Sequence, residues 1–255
     1  NGARAEEIQY QVLIGGTPQG TVSSNGGRIP LANRQNPYSI SVRAVSTVQG
    51  ITYTSDASNV VQAAPYGPIG APTANARAGV SEVEVSWAAP AANGRPVSVQ
   101  IRINGGGWEN VANDGSRTVP ANRGQQVTIE VRASTGLPDG NGHGAQTTTA
   151  GDSARVANPS MSLSRGEQVT SPENGNTAPT FVVSWNDMPT GVQFMYQCFD
   201  ADGEIRAGRQ PHTFSAASGT SPRNQYTFCI SERGGPYRIE FYYGGSVYVS
   251  ASTNN

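Results

Sequence analysis

The strongest constraint in this 255-residue chain is an internal repeat. Displaced by 89 positions, Ile8–Thr47 superimposes on Val97–Gly136 without a gap. Thirteen of the 40 paired positions are identical. They include Ile14 with Ile103, Arg28 with Arg117, Ala32-Asn33-Arg34 with Ala121-Asn122-Arg123, and Val42-Arg43-Ala44 with Val131-Arg132-Ala133. Self-similarity at a fixed spacing marks a chain assembled from copies of one structural unit.

Within each copy the apolar residues recur with period two. Ile8, Tyr10, Val12 and Ile14 alternate with mostly polar neighbours, as do Tyr38, Ile40, Val42 and Ala44. Val83, Val85 and Trp87 continue the pattern, followed by Val97, Val99, Ile101 and Ile103, and by Val127, Ile129, Val131 and Ala133. Each run is short and bounded by glycine, proline or asparagine, the pattern of half-buried strands in an antiparallel sandwich. No stretch keeps apolar residues at helical spacing over ten positions, so the expected class is all-β. A spacing of 89 residues suits a seven-stranded sandwich.

A third, weaker copy follows. Phe181-Val182-Val183-Ser184-Trp185 echoes Val83-Glu84-Val85-Ser86-Trp87, and Tyr237-Arg238-Ile239-Glu240-Phe241 echoes Tyr38-Ser39-Ile40-Ser41-Val42. Boundaries fall in the proline-marked stretches Pro65–Pro72 and Gly151–Pro159, which divides the chain into 1–66, 67–157 and 158–255. Only seven residues precede Ile8, where the second copy has nearly thirty before Val97. The first unit is therefore expected to lack its first two strands, through truncation or because another chain supplies them by strand addition.

Composition narrows the partners. Charged residues make up 14% of the chain and the formal net charge is −1. That balance provides no electrostatic drive toward nucleic acid or an anionic membrane. All 17 basic residues are arginine, and their scatter reads as the bias of a GC-rich bacterial genome. No apolar run approaches the ~20 residues of a membrane-spanning helix, so no membrane insertion is expected within the chain. Asn1-Gly2-Ala3-Arg4 lacks the apolar core of a signal peptide. The two cysteines, Cys198 and Cys229, favour one disulfide and an oxidising, extracellular compartment over two buried thiols.

These residues resemble the fibronectin type III family. Pro68-Ile69-Gly70-Ala71-Pro72 is similar to the approach to the family's first strand. Val83-x-Val85-x-Trp87-x-x-Pro90 is similar to its second strand, and Tyr38-x-Ile40-x-Val42-x-Ala44 to its tyrosine-led sixth. Asn104-Gly105-Gly106-Gly107-Trp108 resembles the turn after the third strand in actinobacterial members. The match covers 8–157 well and 158–255 in outline. Val127 stands where the family has tyrosine, the third unit reads Trp185-x-x-x-Pro189, and it carries about ten extra residues between its third and sixth strands. The resemblance implies tandem immunoglobulin-like antiparallel β-sandwiches. It also implies that Gln193–Phe199 and Tyr226–Ile230 lie on facing sheets, where a Cys198–Cys229 bridge would clamp the sandwich.

No catalytic, cofactor or metal site is expected. Asp200-Ala201-Asp202-Gly203-Glu204 resembles the start of a calcium loop, but Pro211 stands where the twelfth-position glutamate is needed, and Asp-Gly favours a hairpin turn. His143 and His212 lie in different units, without a nucleophile at motif spacing. Glu84, Glu130 and Glu240 occupy outward strand positions, unlike paired glycosidase carboxylates. Trp87 and Trp185 read as core, whereas Trp108, Tyr242 and Tyr248 are possible ligand contacts, each with a packing alternative. The loops Gly136–Gly144 and Arg206–Arg223 are the best placed to carry a contact. The expected function is a non-catalytic extracellular spacer or binding array, mediating protein–protein contact or adhesion at a bacterial surface. The alternative is an accessory or carbohydrate-binding module of a secreted polysaccharide-degrading enzyme.

Overall fold

The computed structural model describes residues 8–23, 26–138, 145–170, 175, 177–204, 209–221 and 236–253. Its regular structure is entirely β among those residues, in five sheets. The all-β class expected from the period-two pattern is what the chain adopts.

The first group of strands comprises β1 (Ile8–Ile14), β2 (Thr17–Val22), β3 (Tyr38–Val48), β4 (Ile51–Thr54) and β5 (Val61–Ala63). They form a single sheet of order β2-β1-β3-β4, with β5 also on β3. The second group is β6 (Thr73–Ala78), β7 (Glu82–Ala88), β8 (Ser98–Ile103), β9 (Glu109–Val111), β10 (Asp114–Pro120), β11 (Gln126–Pro138) and β12 (Ala145–Arg155). These make two sheets, β10-β7-β6 and β12-β11-β8-β9. The third group is β13 (Ser160–Thr170), β14 (Thr177–Asn186), β15 (Gln193–Asp200), β16 (Gly203–Glu204), β17 (Gln210–Thr213), β18 (Gly219–Thr220), β19 (Tyr237–Tyr243) and β20 (Ser246–Thr253). Its sheets are β13-β14-β18 and β16-β15-β19-β20, with β17 on β15. The hairpins β1–β2, β3–β4 and β19–β20 turn on Gly15-Gly16, Gln49-Gly50 and Gly244-Gly245, every one at positive φ. Two left-handed residues give the turn whose twist matches the flanking strands.

The chain divides into two compact units: Asn1–Asn75 with Val85–Arg117 and Thr128–Asp152, and Ala76–Glu84 with Thr118–Val127 and Ser153–Asn255. In the first, β8 pairs with β11 so that Ile101 faces Val131 and Val99 faces Ala133. Val99, Ile101, Ile129, Val131, Ala133 and Thr135 are buried, as are Val85 and Trp87 of β7. The same unit holds the sheet of β1–β5, where β1 pairs with β3 so that Val12 faces Val42 and Ile14 faces Ile40. Tyr38 heads β3, and its hydroxyl donates back to the Ala32 carbonyl at 3.2 Å, which fixes the chain where it enters the strand.

In the second unit the third group closes around one core. Phe181 and Val183 of β14, Phe194 and Tyr196 of β15, and Ile239 and Phe241 of β19 are buried together. Phe214 links the strands, with ring centroids 5.8 Å from Phe194 and 5.1 Å from Phe241. Aromatic rings at these separations, buried together, contribute to the apolar core of this group of strands.

Each tryptophan-bearing strand is seated in the same way. The Trp87 indole N–H donates to the Ala112 carbonyl at 3.0 Å, and a Cβ built on Gly115 would lie 2.8 Å from the ring. The Trp185 indole donates to the Ala216 carbonyl at 3.0 Å, and a Cβ on Gly219 would lie 2.7 Å from it. A glycine three residues past the accepting carbonyl thus makes room for each indole. This Ala-x-x-Gly seat is a second repeated device, and β7 and β14 use it alike.

Candidate functional site

The sheet of β1–β5 has two unlike faces. Pairing places Ile8 beside Ser46 and Ser46 beside Tyr53, Tyr10 beside Ala44, Val48 beside Ile51, and Ile40 beside Val61. That face carries no charged side chain. The opposite face is polar apart from Leu13, Pro18 and Val45, Leu13 and Ser41 on it are buried, and its Arg43 donates to Gln11 at 2.8 Å. Of the apolar row, Val12 is buried, while Tyr10, Ile14, Tyr38, Ile40 and Val42 keep part of their surface in water. Toward the edge, Ile51 is 58% exposed, Tyr53 56% and Val61 63%. Ile8, Ser46, Val48 and Tyr53 line a groove of about 410 Å³. The Ser46 hydroxyl is enclosed with no hydrogen-bond partner among the described residues. Neighbouring exposed apolar side chains on one face mark an interaction site far better than the same residues scattered singly.

The residues singled out from the sequence lie elsewhere. Trp108 is half-buried, with the Arg132 guanidinium 4.2 Å and the Arg102 guanidinium 4.8 Å from its ring centre. Arg102 makes a two-pronged ion pair with Glu130, whose carboxyl is held below its ordinary range by those hydrogen bonds. Tyr242 is buried on β19, hydrogen-bonded to Glu240 and covered by the Arg209 guanidinium 3.6 Å from its ring. Burial raises its phenol pKa, and the Glu240 bond adds to the effect. Tyr248 is buried on β20 against Phe194, with the Arg123 guanidinium 4.2 Å from its ring centre. The register shift between Phe241 and Tyr242 breaks the alternation of β19, and Tyr243 emerges 43% exposed.

Cys198 is buried on β15, and Cys229 lies outside the described residues, as do His143 and Tyr226–Ile230. The loops Gly136–Gly144 and Arg206–Arg223 are described only in part. His212 packs edge-on against Phe214 and Phe241, and burial lowers its pKa. Asp200 pairs with Gly203 across a tight turn, and the Asp202 amide donates to the Asp200 carboxylate at 3.0 Å. This is the hairpin expected for Asp-Gly. No group of three metal-ligating side chains occurs among the described residues.

The repeated Ala-Asn-Arg triplet proves to be a docking loop. The Arg34 amide donates to the Pro65 carbonyl, the Gln35 side chain to the Arg95 carbonyl, and buried Arg95 to the Gly67 carbonyl. Its counterpart lies beside a second set of bonds, in which Gly124 donates to Val156, and Arg155 and the Asn158 amide both donate to Asp187. The Asn158 bond is the main reason the Asp187 carboxyl is held low. These repeated residues hold loops together, and Ala121, Asn122 and Arg123 also line a cleft with Ser81, Tyr243 and Tyr248.

No family model matches the chain. No curated protein matches it either.

Proposed function

We propose that the chain is a non-catalytic, extracellular array of fibronectin type III-like sandwiches that makes protein–protein contact, at a bacterial surface or from it. The observation that carries this reading is the uncharged face of the β1–β5 sheet, with Ile51, Tyr53 and Val61 each more than half exposed. A face of this kind suits a protein partner, because an apolar side chain gains by leaving water whereas a glycan offers mainly hydroxyls. The repeated docking loops add the spacing role, since they tie successive stretches of chain through backbone bonds.

Photo-crosslinking tests this. A benzophenone side chain at Tyr53, in the protein displayed by its source cells, is expected to yield a polypeptide adduct. The same probe at Gln62, on the opposite face, is expected to yield none. A glycan adduct at Trp108 with nothing at Tyr53 overturns the reading in favour of a carbohydrate-binding module.

A further inference from the structure

Three elements of the second compact unit meet at a cleft of about 300 Å³: the turn between β6 and β7, the loop after β10, and the β19–β20 hairpin. The Ala121 amide donates to the Ser81 carbonyl at 3.0 Å, which ties the first two together. Val80 anchors the cleft in the buried core, and Tyr243 and Val247 stand exposed along it. The cleft therefore has an apolar wall held on a packed base. Its volume is at the small end of the range for ligand pockets.

The polar lining has one sign. Arg123 supplies a full positive charge and has no carboxylate partner among the described residues. No described lining residue is acidic. Asp187, whose charge also reaches Tyr248, is already held by Arg155 and the Asn158 amide. The side chains of Ser81, Asn122 and Ser246 bond to no described group. Tyr248 is only 6% exposed, and its hydroxyl is shut off from water with no partner among the described residues. The repeat shows why Arg123 is uncommitted. Its counterpart Arg34 is occupied within its own copy, 3.2 Å over the Tyr38 ring centre and donating to the Pro37 carbonyl at 3.0 Å. The residue aligned with Tyr38 is Val127, and Arg123 lies over Tyr248 of the cleft instead.

We infer that this cleft binds a carboxylate carried on a small apolar or aromatic body. The guanidinium of Arg123 can take both carboxylate oxygens at once, and the Asn122 amide and the two serine hydroxyls are further donors. Tyr243 and Val247 cover the body, which gains by leaving water. A cationic ligand is disfavoured, because Arg123 repels it and no acid in the lining meets it. Arg123 is itself exposed, so it can leave the Tyr248 ring for the ligand without disturbing the core. The Tyr248 hydroxyl then gains the acceptor it lacks, which recovers the cost of leaving a buried donor unbonded. The inference goes beyond the protein-contact reading and is independent of it, since no residue of β1–β5 lines the cleft.

The test titrates the whole nitrogen-15-labelled chain with phenylacetate and follows the amide resonances. Saturable shifts are expected at Asn122, Arg123 and Val247, with a dissociation constant on the order of 1 mM for so small a ligand. Phenylacetamide, the same body without the charge, is expected to bind at least about tenfold more weakly. Arg123→Gln is expected to weaken phenylacetate by a similar factor. Arg123→Lys is expected to weaken it less, because a point charge keeps the attraction and loses the fork. Tyr248→Phe is expected to weaken binding about threefold and leave the urea midpoint no lower, since the hydroxyl bonds to nothing in the free chain. Acetyl-Gly-Gly-phenylalanine presents the same acid and ring on a peptide. Binding of it more than about tenfold tighter than phenylacetate assigns the acid to a polypeptide end, and equal or weaker binding assigns it to a free molecule.

Phenylacetamide that binds as well as phenylacetate overturns the inference, as does the absence of saturable binding in the millimolar range. Shifts confined to residues away from the cleft overturn it too. So does unchanged binding by a folded Arg123→Gln chain; should that variant unfold, the acid-against-amide comparison on the unaltered chain decides. A lowered urea midpoint for Tyr248→Phe would mean that the hydroxyl is bonded without a ligand and would overturn its assignment to the site. The protein-contact reading stands or falls on the Tyr53 crosslink, which none of these results touches.

Discussion

The β1–β5 sheet and its copy 89 residues on share a strand pattern, a turn chemistry and an outer-face side-chain pair. They differ in the fate of one row of side chains. Ile129 and Val131 are fully buried, whereas the aligned Ile40 and Val42 remain partly in water. Alternation in sequence therefore specifies which face of a strand is apolar, and a separate sheet determines whether that face is dry. The difference can be measured directly. Ile129→Ala is expected to cost about 2–5 kcal/mol, through lost burial and the cavity left behind. Ile40→Ala is expected to cost about 1 kcal/mol, because less apolar area leaves water at that position. Urea titration followed by hydrogen exchange at the amides of each sheet separates the two effects. Equal costs would mean that the faces are equally covered in solution.

The third group of strands extends the comparison to a copy closed by a dense aromatic core. Its expected covalent clamp, between Cys198 and Cys229, closes a loop of about 30 residues and is worth about 3 kcal/mol. Reduction should destabilise the amides of β15 and β19 by that amount and leave exchange in β1 and β3 unchanged. Thiol titration of the unfolded, unreduced chain should find none free. Two titratable thiols would remove the clamp and leave Cys198 as a small apolar filler.

The indole seats provide a third contrast. Gly115→Val places carbon within van der Waals contact of Trp87 and is expected to cost about 1–3 kcal/mol by overpacking. At the aligned position of the first copy, Gly26→Ala meets no neighbour and bears only the strain of a side chain at φ 95°, on the order of 1 kcal/mol. Trp87 emission should shift with the first substitution and stay put with the second. A shift from Gly26→Ala would place an indole against that turn already.

The parts of this fold legible in the sequence are those set by local pattern. The alternating runs became β1, β3, β7, β8 and β11, and the Asp-Gly pair became a hairpin turn. The parts that were not legible depend on partners distant along the chain. Arg28–Leu31 aligns with part of β10 and forms no strand. Tyr242 and Tyr248 alternate in a way that leaves them open to a ligand, yet Arg209 and Arg123 cover them from other parts of the chain. The apolar face itself was written in the first run, Ile8 to Ile14. Its exposure depends on what packs against it, which alternation along a strand does not specify.

The smallest effect tests the converse, that the outer faces of the two copies are alike. Arg43 donates to Gln11 at 2.8 Å, and Arg132 donates to Gln100 at 2.7 Å. Both pairs span the same two aligned strands, on the face turned away from the apolar row. A single side-chain hydrogen bond near water contributes about 0.5–1 kcal/mol at most. Gln11→Ala and Gln100→Ala are therefore expected to cost the same few tenths within error, measured from the urea midpoints of the two sheets. A clearly larger cost for Gln11→Ala would mean that the first sheet is held by its polar face. Its apolar face would then be a consequence of the fold.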